Sequence, residues 1–304
     1  HYGHEVTPAL LGLGVKAAPS SELTCPRCSR IVRRQLVGMA LVVCSGCRTG
    51  LAMRGGELEV YFRPASIAMA IEVPIGTRAT LSEAFLRSAS IGPIPSEVPA
   101  WPSRVDVRVS GYLVRKVVVD GETFHYAEYT LESANGGFYW LVITDGEWYL
   151  ARTLNTSLVE ESGGSVTLGG VRFALKEANL ATVVQVEGEH DYLVKPGDEA
   201  QVADYAFGAR LVSKEETVDE VLWTECIRVP SDAVAQAFGV RLRQSRSASQ
   251  GGAGDDDEDE SSGGDELTSN PMFWLGLLAL LFIIIVLAMD GDCGGGGGSF
   301  GFGK

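Results

Sequence analysis

The sequence predicts a mainly β protein: an antiparallel meander or barrel-like β-domain, with a small cysteine-bearing ribbon ahead of it and one membrane helix behind it. Three observations predict this. Between residues 65 and 240, short runs rich in Val, Tyr, Phe and Trp are separated by Asp-Gly, Asn-Gly-Gly and Gly-Gly turn signals. Ahead of them stand two Cys-x-x-Cys pairs. Behind them, Met272 to Met289 run for eighteen residues without a charge.

Residues 1–20 form a leader of mixed character. They lack a basic segment, and the apolar stretch LLGLG is too short for the core of a secretory signal. Residues 21–56 form the cysteine module. Cys25 and Cys28 are followed, after fifteen residues, by Cys44 and Cys47. Each pair offers two sulfurs from one turn, and two such turns complete a tetrahedral site, so the spacing predicts a structural zinc ribbon with no open coordination position. Two disulfides, or a redox dithiol, are the competing readings; the first needs an oxidising compartment and the second a βαβ context that is absent. Six arginines, Arg27, Arg30, Arg33, Arg34, Arg48 and Arg54, lie between Thr24 and Gly56 without one acidic residue. Arg30, Arg33 and Arg34 are therefore candidates for binding an anion, whether headgroup, nucleic acid or acidic partner.

The β-domain spans 65–240. Strands are predicted at Val105 to Val119, Phe124 to Leu131, Phe138 to Thr144 and Trp148 to Thr153, with turns at Asp120-Gly121, Asn135-Gly136-Gly137 and Asp145-Gly146. In the third strand Phe138, Trp140 and Val142 face one way and Tyr139, Leu141 and Ile143 the other; apolar on both faces, it belongs in the middle of a sheet. Further strands are predicted at Val171 to Leu175, Ala181 to Val186, Tyr192 to Val194 and Val221 to Val229. A helix is predicted over Ala233 to Phe238, capped by Ser231 and stopped by Gly239. Glu128, among Phe124, Tyr126 and Thr130 on one strand face, is a candidate acid or base, with Asp204 and Glu225 as further carboxylates in a cleft between two β-halves. The run Glu187 to Asp191 reads as a polar turn.

Residues 241–270 form a linker too polar and Gly/Ser-rich to fold. Its acidic tract, eight Asp and Glu within 251–270, carries more than half of the net charge of −14, so global acidity says little about partners. Residues 271–289 predict a transmembrane helix: eighteen apolar residues span roughly 27 Å, near the ~30 Å hydrocarbon thickness. Pro271 suits its first position and Trp274 its interface. The tail, 290–304, contains five consecutive glycines, Gly294 to Gly298. A lone C-terminal span predicts a tail-anchored membrane protein with its folded part in the cytoplasm, where zinc thiolates stay reduced.

The β-domain resembles the domain of unknown function 4178 family. The residues that carry the resemblance are Tyr126-Ala-Glu128-Tyr129, Gly137-Phe-Tyr-Trp140-Leu-Val, Asp145-Gly-Glu-Trp148, Val186-Glu-Gly188-Glu189, Gly197-Asp198, Asp204-Tyr205, Lys214-Glu-Glu216, Glu220-Val-Leu-Trp223 and Ala235-Gln-Ala-Phe238, over roughly 70 to 240. His190 stands where the family favours an aromatic, and Cys226 where glycine is more usual. The resemblance implies a zinc ribbon ahead of the β-domain and a bacterial, membrane-associated setting, with an envelope-stress system as its context. It implies no reaction. The reading that follows is a non-enzymatic binding or adaptor module, tethered to the bilayer through 271–289 and meeting a protein partner there. An enzyme using Glu128, Asp204 or Glu225 is the alternative. Nucleic-acid binding by the arginine-rich ribbon ranks third.

Overall fold

The computed structural model describes residues 22–33, 35, 38–89 and 98–243. The predicted leader, nearly all of the linker, the membrane span and the glycine tail lie outside the described residues. Among those described, no helix is long and apolar enough to cross a membrane.

Chain order is β1 (Glu22–Thr24), β2 (Ile31–Arg33), β3 (Leu41–Val43), β4 (Gly50–Arg54), β5 (Glu57–Phe62), β6 (Arg78–Leu81), α1 (Glu83–Ser88), β7 (Val105–Val119), β8 (Glu122–Ser133), β9 (Phe138–Thr144) and β10 (Glu147–Thr153). There follow β11 (Val159–Ser162), β12 (Ser165–Leu168), β13 (Val171–His190), β14 (Glu199–Phe207), β15 (Arg210–Glu216), β16 (Val221–Val229) and α2 (Ser231–Phe238).

Eight strands close a barrel. The hydrogen-bonded order runs β7, β8, β9, β10, β16, β15, β14, β13, and β13 pairs back onto β7, every neighbour antiparallel. The predicted four-strand meander is β7 to β10. Its two Asp-Gly turns hold both residues left-handed, at φ 51° and 83° for Asp120-Gly121 and 51° and 78° for Asp145-Gly146. That geometry matches the twist of flanking strands, which is why Asp-Gly is so strong a hairpin signal.

The second half of the barrel departs from expectation. The predicted strands Val171 to Leu175 and Ala181 to Val186 are one strand, β13, with bulges at Leu175/Glu177 and Val183/Gln185. The run Glu187 to His190, read as a turn, is the end of this strand, and Tyr192 to Val194 is not a strand. β14 and β15, with β11 and β12, carry no clear apolar alternation and went unread. Ladder partners on both sides of β12, β14 and β15, and β12 alone beside β11, supply what their propensity lacks. α2 begins at Ser231, so its cap is Pro230 rather than the predicted Ser231, and no side chain caps it; Gly239 ends it at φ 65° as predicted.

Which face of the wall is inside follows from one contact. Arg115 Nη2 on β7 lies 2.6 Å from Glu215 Oε1 on β15, three strands away around the ring. Only side chains pointing inward can meet across a barrel. The register then assigns the rest. Tyr126, Glu128, Trp140, Val142, Tyr149, Cys226, Ser213 and Asp204 face inward with Arg115.

The main hydrophobic core lies on the outer face. Tyr112, Tyr129, Leu131, Leu141, Trp148, Leu150, Ile227 and Val229 pack against Val73, Leu81, Phe85 and Leu86, and against Val234 and Phe238 of α2. Each such side chain contributes about 1.5–3 kcal/mol on burial. Val234 and Phe238 stand one helical turn apart, so α2 presents both to the wall. A second outer cluster packs Val166, Leu168 and Phe173 with Tyr205, Val212 and Trp223. The cysteine ribbon joins the barrel through β13, whose Glu189 and His190 pair with Val42 and Leu41 of β3. Leu41 and Val43 then pack on Leu113, Val183, Val186 and Val194. Leu113 and Val183 face inward, so the ribbon's apolar side covers the interior at one end.

Candidate functional site: a four-cysteine cluster and a wet barrel interior

The two Cys-x-x-Cys turns repeat one local design. Cys25 N–H donates to Arg30 O and Cys44 N–H to Thr49 O, at 2.9 and 3.0 Å. Ser29 N–H donates back to Cys25 O, and Arg48 N–H to Cys44 O, at 2.9 and 2.7 Å. Ser29 and Arg48, each following the second cysteine of its pair, are left-handed at φ 60° and 54°. The knuckles face one another, with Cys25 and Cys47 sulfurs 3.7 Å apart and Cys28 and Cys44 sulfurs 3.6 Å apart. All four lie within 4.8 Å of each other and none is in a disulfide, so together they can hold a metal ion. Arg27 Nη1 donates to Thr49 Oγ1 at 3.0 Å, and that hydroxyl sits 3.2 Å from Cys47 Sγ. The Thr49 hydroxyl lowers the Cys47 thiol to about 6; at Cys28 the Arg30 backbone also favours the thiolate, but burial and the neighbouring thiols outweigh it and push that thiol up to about 11.

The arginines of this module are largely engaged. Arg33 pairs with Glu22, Arg48 with Glu187 of β13, and Arg54 with Glu59. Arg30 lies across Gly46, where a Cβ would stand 2.7 Å from its Cδ. Arg34 lies outside the described residues. The acidic partners come from beyond the 24–56 segment, which is why counting charge within it finds none.

The barrel interior gathers two of the three predicted carboxylates. Arg115 Nε stands 3.3 Å from Glu128 Oε1 while its Nη2 reaches Glu215. Burial pushes the Glu128 carboxyl up to about 7; the Arg115 guanidinium opposes this, and Glu215 and Asp204 add to it. Burial also raises Asp204, against a hydrogen bond from Ser213, and raises Tyr126 well above the usual phenol range. The Cys226 thiol is pushed up to about 12, first by burial, so it is an inert thiol. These groups are deep without being dry. Glu128 keeps 16% and Glu215 27% of its side-chain surface accessible, and Tyr126, Trp140, Val142 and Tyr149 are half-buried. Eight-stranded barrels are wide enough either to fill with side chains or to hold one small ligand. Half-exposed inward residues belong to the second kind.

Glu225 is elsewhere. It is fully buried on the outer face, where Oε1 accepts from Arg210 Nη2 at 2.6 Å and Oε2 from Arg152 Nη2 at 2.7 Å. Arg152 also lies 4.4 Å over the Trp101 ring and donates to Pro99 O and Ala100 O. Glu225 thus fastens the chain before β7 to the wall. The expected cleft between two β-halves is a single closed barrel, and only Glu128 and Asp204 share it. Arg115, Glu215, Trp140 and Tyr149 join this interior without any motif that marks them as site residues in the sequence. The usable signal was polar residues every second position, Tyr126, Glu128 and Thr130, in a strand whose other face is apolar.

Fold and site together define an eight-stranded antiparallel β-barrel carrying a four-cysteine ribbon at one end. Residues 103–231 match the family described as a domain of unknown function (DUF4178), a match that takes in all eight barrel strands and leaves the ribbon outside. No curated protein and no solved structure matches the chain.

Proposed function

We propose that this chain is a non-enzymatic binding module, held at the membrane by residues 271–289 with its folded part on the cytoplasmic side. Its ligand enters the barrel interior. The ribbon holds one structural Zn²⁺ through Cys25, Cys28, Cys44 and Cys47. The observation that carries the binding reading is the inward face of the barrel, charged, aromatic and accessible to water where a structural barrel packs apolar side chains. Zinc suits the cluster because sulfurs about 2.3 Å from a tetrahedral ion stand about 3.8 Å apart, close to the 3.6 and 3.7 Å found here. All four positions are thiolates, so the metal supplies stability rather than chemistry. The half-buried pairing of Arg48 with Glu187 favours this reading over nucleic-acid binding.

The full-length protein tests it in native membranes. The chain is expected in the pellet after alkaline carbonate washing, protected from protease added outside intact cells. The purified protein is expected to carry one zinc per chain and to retain a small molecule visible by native mass spectrometry. Extraction by carbonate, digestion from outside, or less than half a zinc per chain each removes its part of the proposal.

One observation favours a second reading, an enzyme. Glu128 holds its proton to about 7 beside Asp204, a pairing suited to general acid and base roles near neutral pH. Turnover of the retained molecule, lost in Glu128→Gln while binding persists, is the result that selects it.

A further inference from the structure

We infer that the ligand of the barrel interior is a small organic cation with a flat apolar body, such as an arylalkyl ammonium or guanidinium. The inference rests on reading the interior as the binding site, and it follows from two walls of different chemistry.

One wall is aromatic. Tyr126 on β8, Trp140 on β9 and Tyr149 on β10 face inward and remain half-buried. None of the three stacks on another ring or lies under a protein cation among the described residues. Elsewhere in this molecule such rings are used: Tyr112, Tyr129 and Trp148 stack in a row in the outer core, and Trp101, Phe173 and Trp223 each carry a cation. Three half-buried rings that face one interior without a ring or cation partner still have surface to bury, and a ligand supplies that burial.

The opposite wall is acidic. Asp204 on β14 and Glu215 on β15 face inward toward Glu128. Arg115 is shared by Glu128 and Glu215. Asp204 accepts from the Ser213 hydroxyl and has no ion pair among the described residues; Lys176, which acts on it from a distance, is held by Glu177 at 3.5 Å. The same register turns Arg228, Glu147 and Glu177 inward, but Arg228 pairs with Glu147 and Glu177 with Lys176, and Arg115 is shared by Glu128 and Glu215, so Asp204 is the inward carboxylate left without a cation among the described residues. A bare metal ion is the wrong occupant. Among the described residues only the four cysteines converge at ligand spacing, and the carboxylates do not. An organic cation spreads its charge over a larger volume, reaches Asp204 without being stripped to a bare ion, and lays its body on Trp140 and the tyrosines.

The test titrates the full-length protein in detergent with benzyltrimethylammonium, benzyl alcohol and benzoate, read by calorimetry and tryptophan fluorescence. Benzyltrimethylammonium is expected to bind saturably, about tenfold or more tighter than benzyl alcohol, with benzoate weakest. Asp204→Asn, which keeps the Ser213 contact, and Trp140→Leu are each expected to weaken it about fivefold or more. Unchanged circular dichroism and zinc content establish that both variants fold, and Glu215→Gln gives a second charge variant. If benzyl alcohol or benzoate binds best and Trp140→Leu abolishes that binding, the ligand class is overturned while the interior stands as the binding site. If no probe binds in a way that Trp140→Leu alters, both are overturned.

Discussion

Glu128 and Glu225 lie on opposite faces of one barrel wall, and the difference decides what each does. Glu225 is enclosed with two guanidiniums, and both of its oxygens accept from them. Removing one partner of such a cluster leaves like charges buried together, so Glu225→Gln is expected to destabilise the protein by about 3 kcal/mol or more, read by urea denaturation. Glu128 has one guanidinium, which it shares with Glu215, and two acidic neighbours. It releases its proton near about 7 when folded, against about 4.3 in an unfolded chain. Between these values the native state binds more protons than the unfolded one, so this group lowers stability as pH rises through that window. Relative to the wild type, Glu128→Gln is therefore expected to gain on the order of 1–3 kcal/mol at pH 8 and almost nothing at pH 4, where both side chains are neutral. The groups facing Glu128 across the interior are Arg115, Glu215, Asp204, Tyr126, Tyr192 and Cys226. A variant no more stable at pH 8 than the wild type would show that Glu128 does not carry this proton.

At the scale of elements, β13 is the strand on which the others depend. Twenty residues long, it closes the barrel against β7, pairs with β14, carries the β11–β12 hairpin, and runs on to pair with the ribbon. Where it crosses β7 the backbones come unusually close. A Cβ on Gly111 would stand 2.7 Å from Glu189 O and 2.6 Å from the His190 ring, and one on Gly188 would stand 2.4 Å from Ser110 O. Carbonyl oxygens in a ladder cannot step aside. Gly111→Ala is expected to cost about 2–3 kcal/mol by thermal denaturation, and to raise hydrogen exchange in β3 as well as in β7, since both pair with β13. His190, fully buried where the two strands pair, has its ring held neutral: burial lowers it to about 4, and Nε2 stands 3.0 Å from Glu187 O. An unchanged melting temperature in Gly111→Ala would mean that the two strands part more easily than their contacts imply.

At the scale of the whole described molecule, the barrel has its main apolar core outside its wall and a polar space within. Helices α1 and α2, β6 and the β11–β12 hairpin cover the outer apolar surface, and the ribbon covers one end. The cysteine ribbon and the barrel are therefore coupled through Arg48–Glu187, the β3–β13 pairing, and the packing of Leu41 and Val43 on Leu113 and Val186. Chelation is expected to release protection from hydrogen exchange throughout residues 22–62, to expose Leu113 and Val183 at that end, and to leave β8 to β10 protected. Loss of protection spread evenly over all barrel strands would instead make metal and barrel one cooperative unit.

What the sequence determined by itself was local. Two Cys-x-x-Cys turns, the Asp-Gly hairpins of the first four barrel strands and the stop at Gly239 each depend on a few adjacent residues, and backbone geometry admits few alternatives. The period-two split of β9 was equally legible, and Phe138, Trp140 and Val142 do face opposite to Tyr139, Leu141 and Ile143. Only the tertiary structure decided which of those faces is the inside. Alternation states that a strand has two sides; ring closure between β13 and β7, whose starts are sixty-six residues of chain apart, selects the concave one. The same closure joined Val171 to His190 into one strand through residues of poor β-propensity: β14 holds Ala174 to Thr182 along one edge, and β12 and β7 take up the other edge before and after them. It also placed Glu128 and Asp204 together and sent Glu225 to the other side, since a carboxylate's company depends on strands that pair across the ring rather than on its neighbours along the chain.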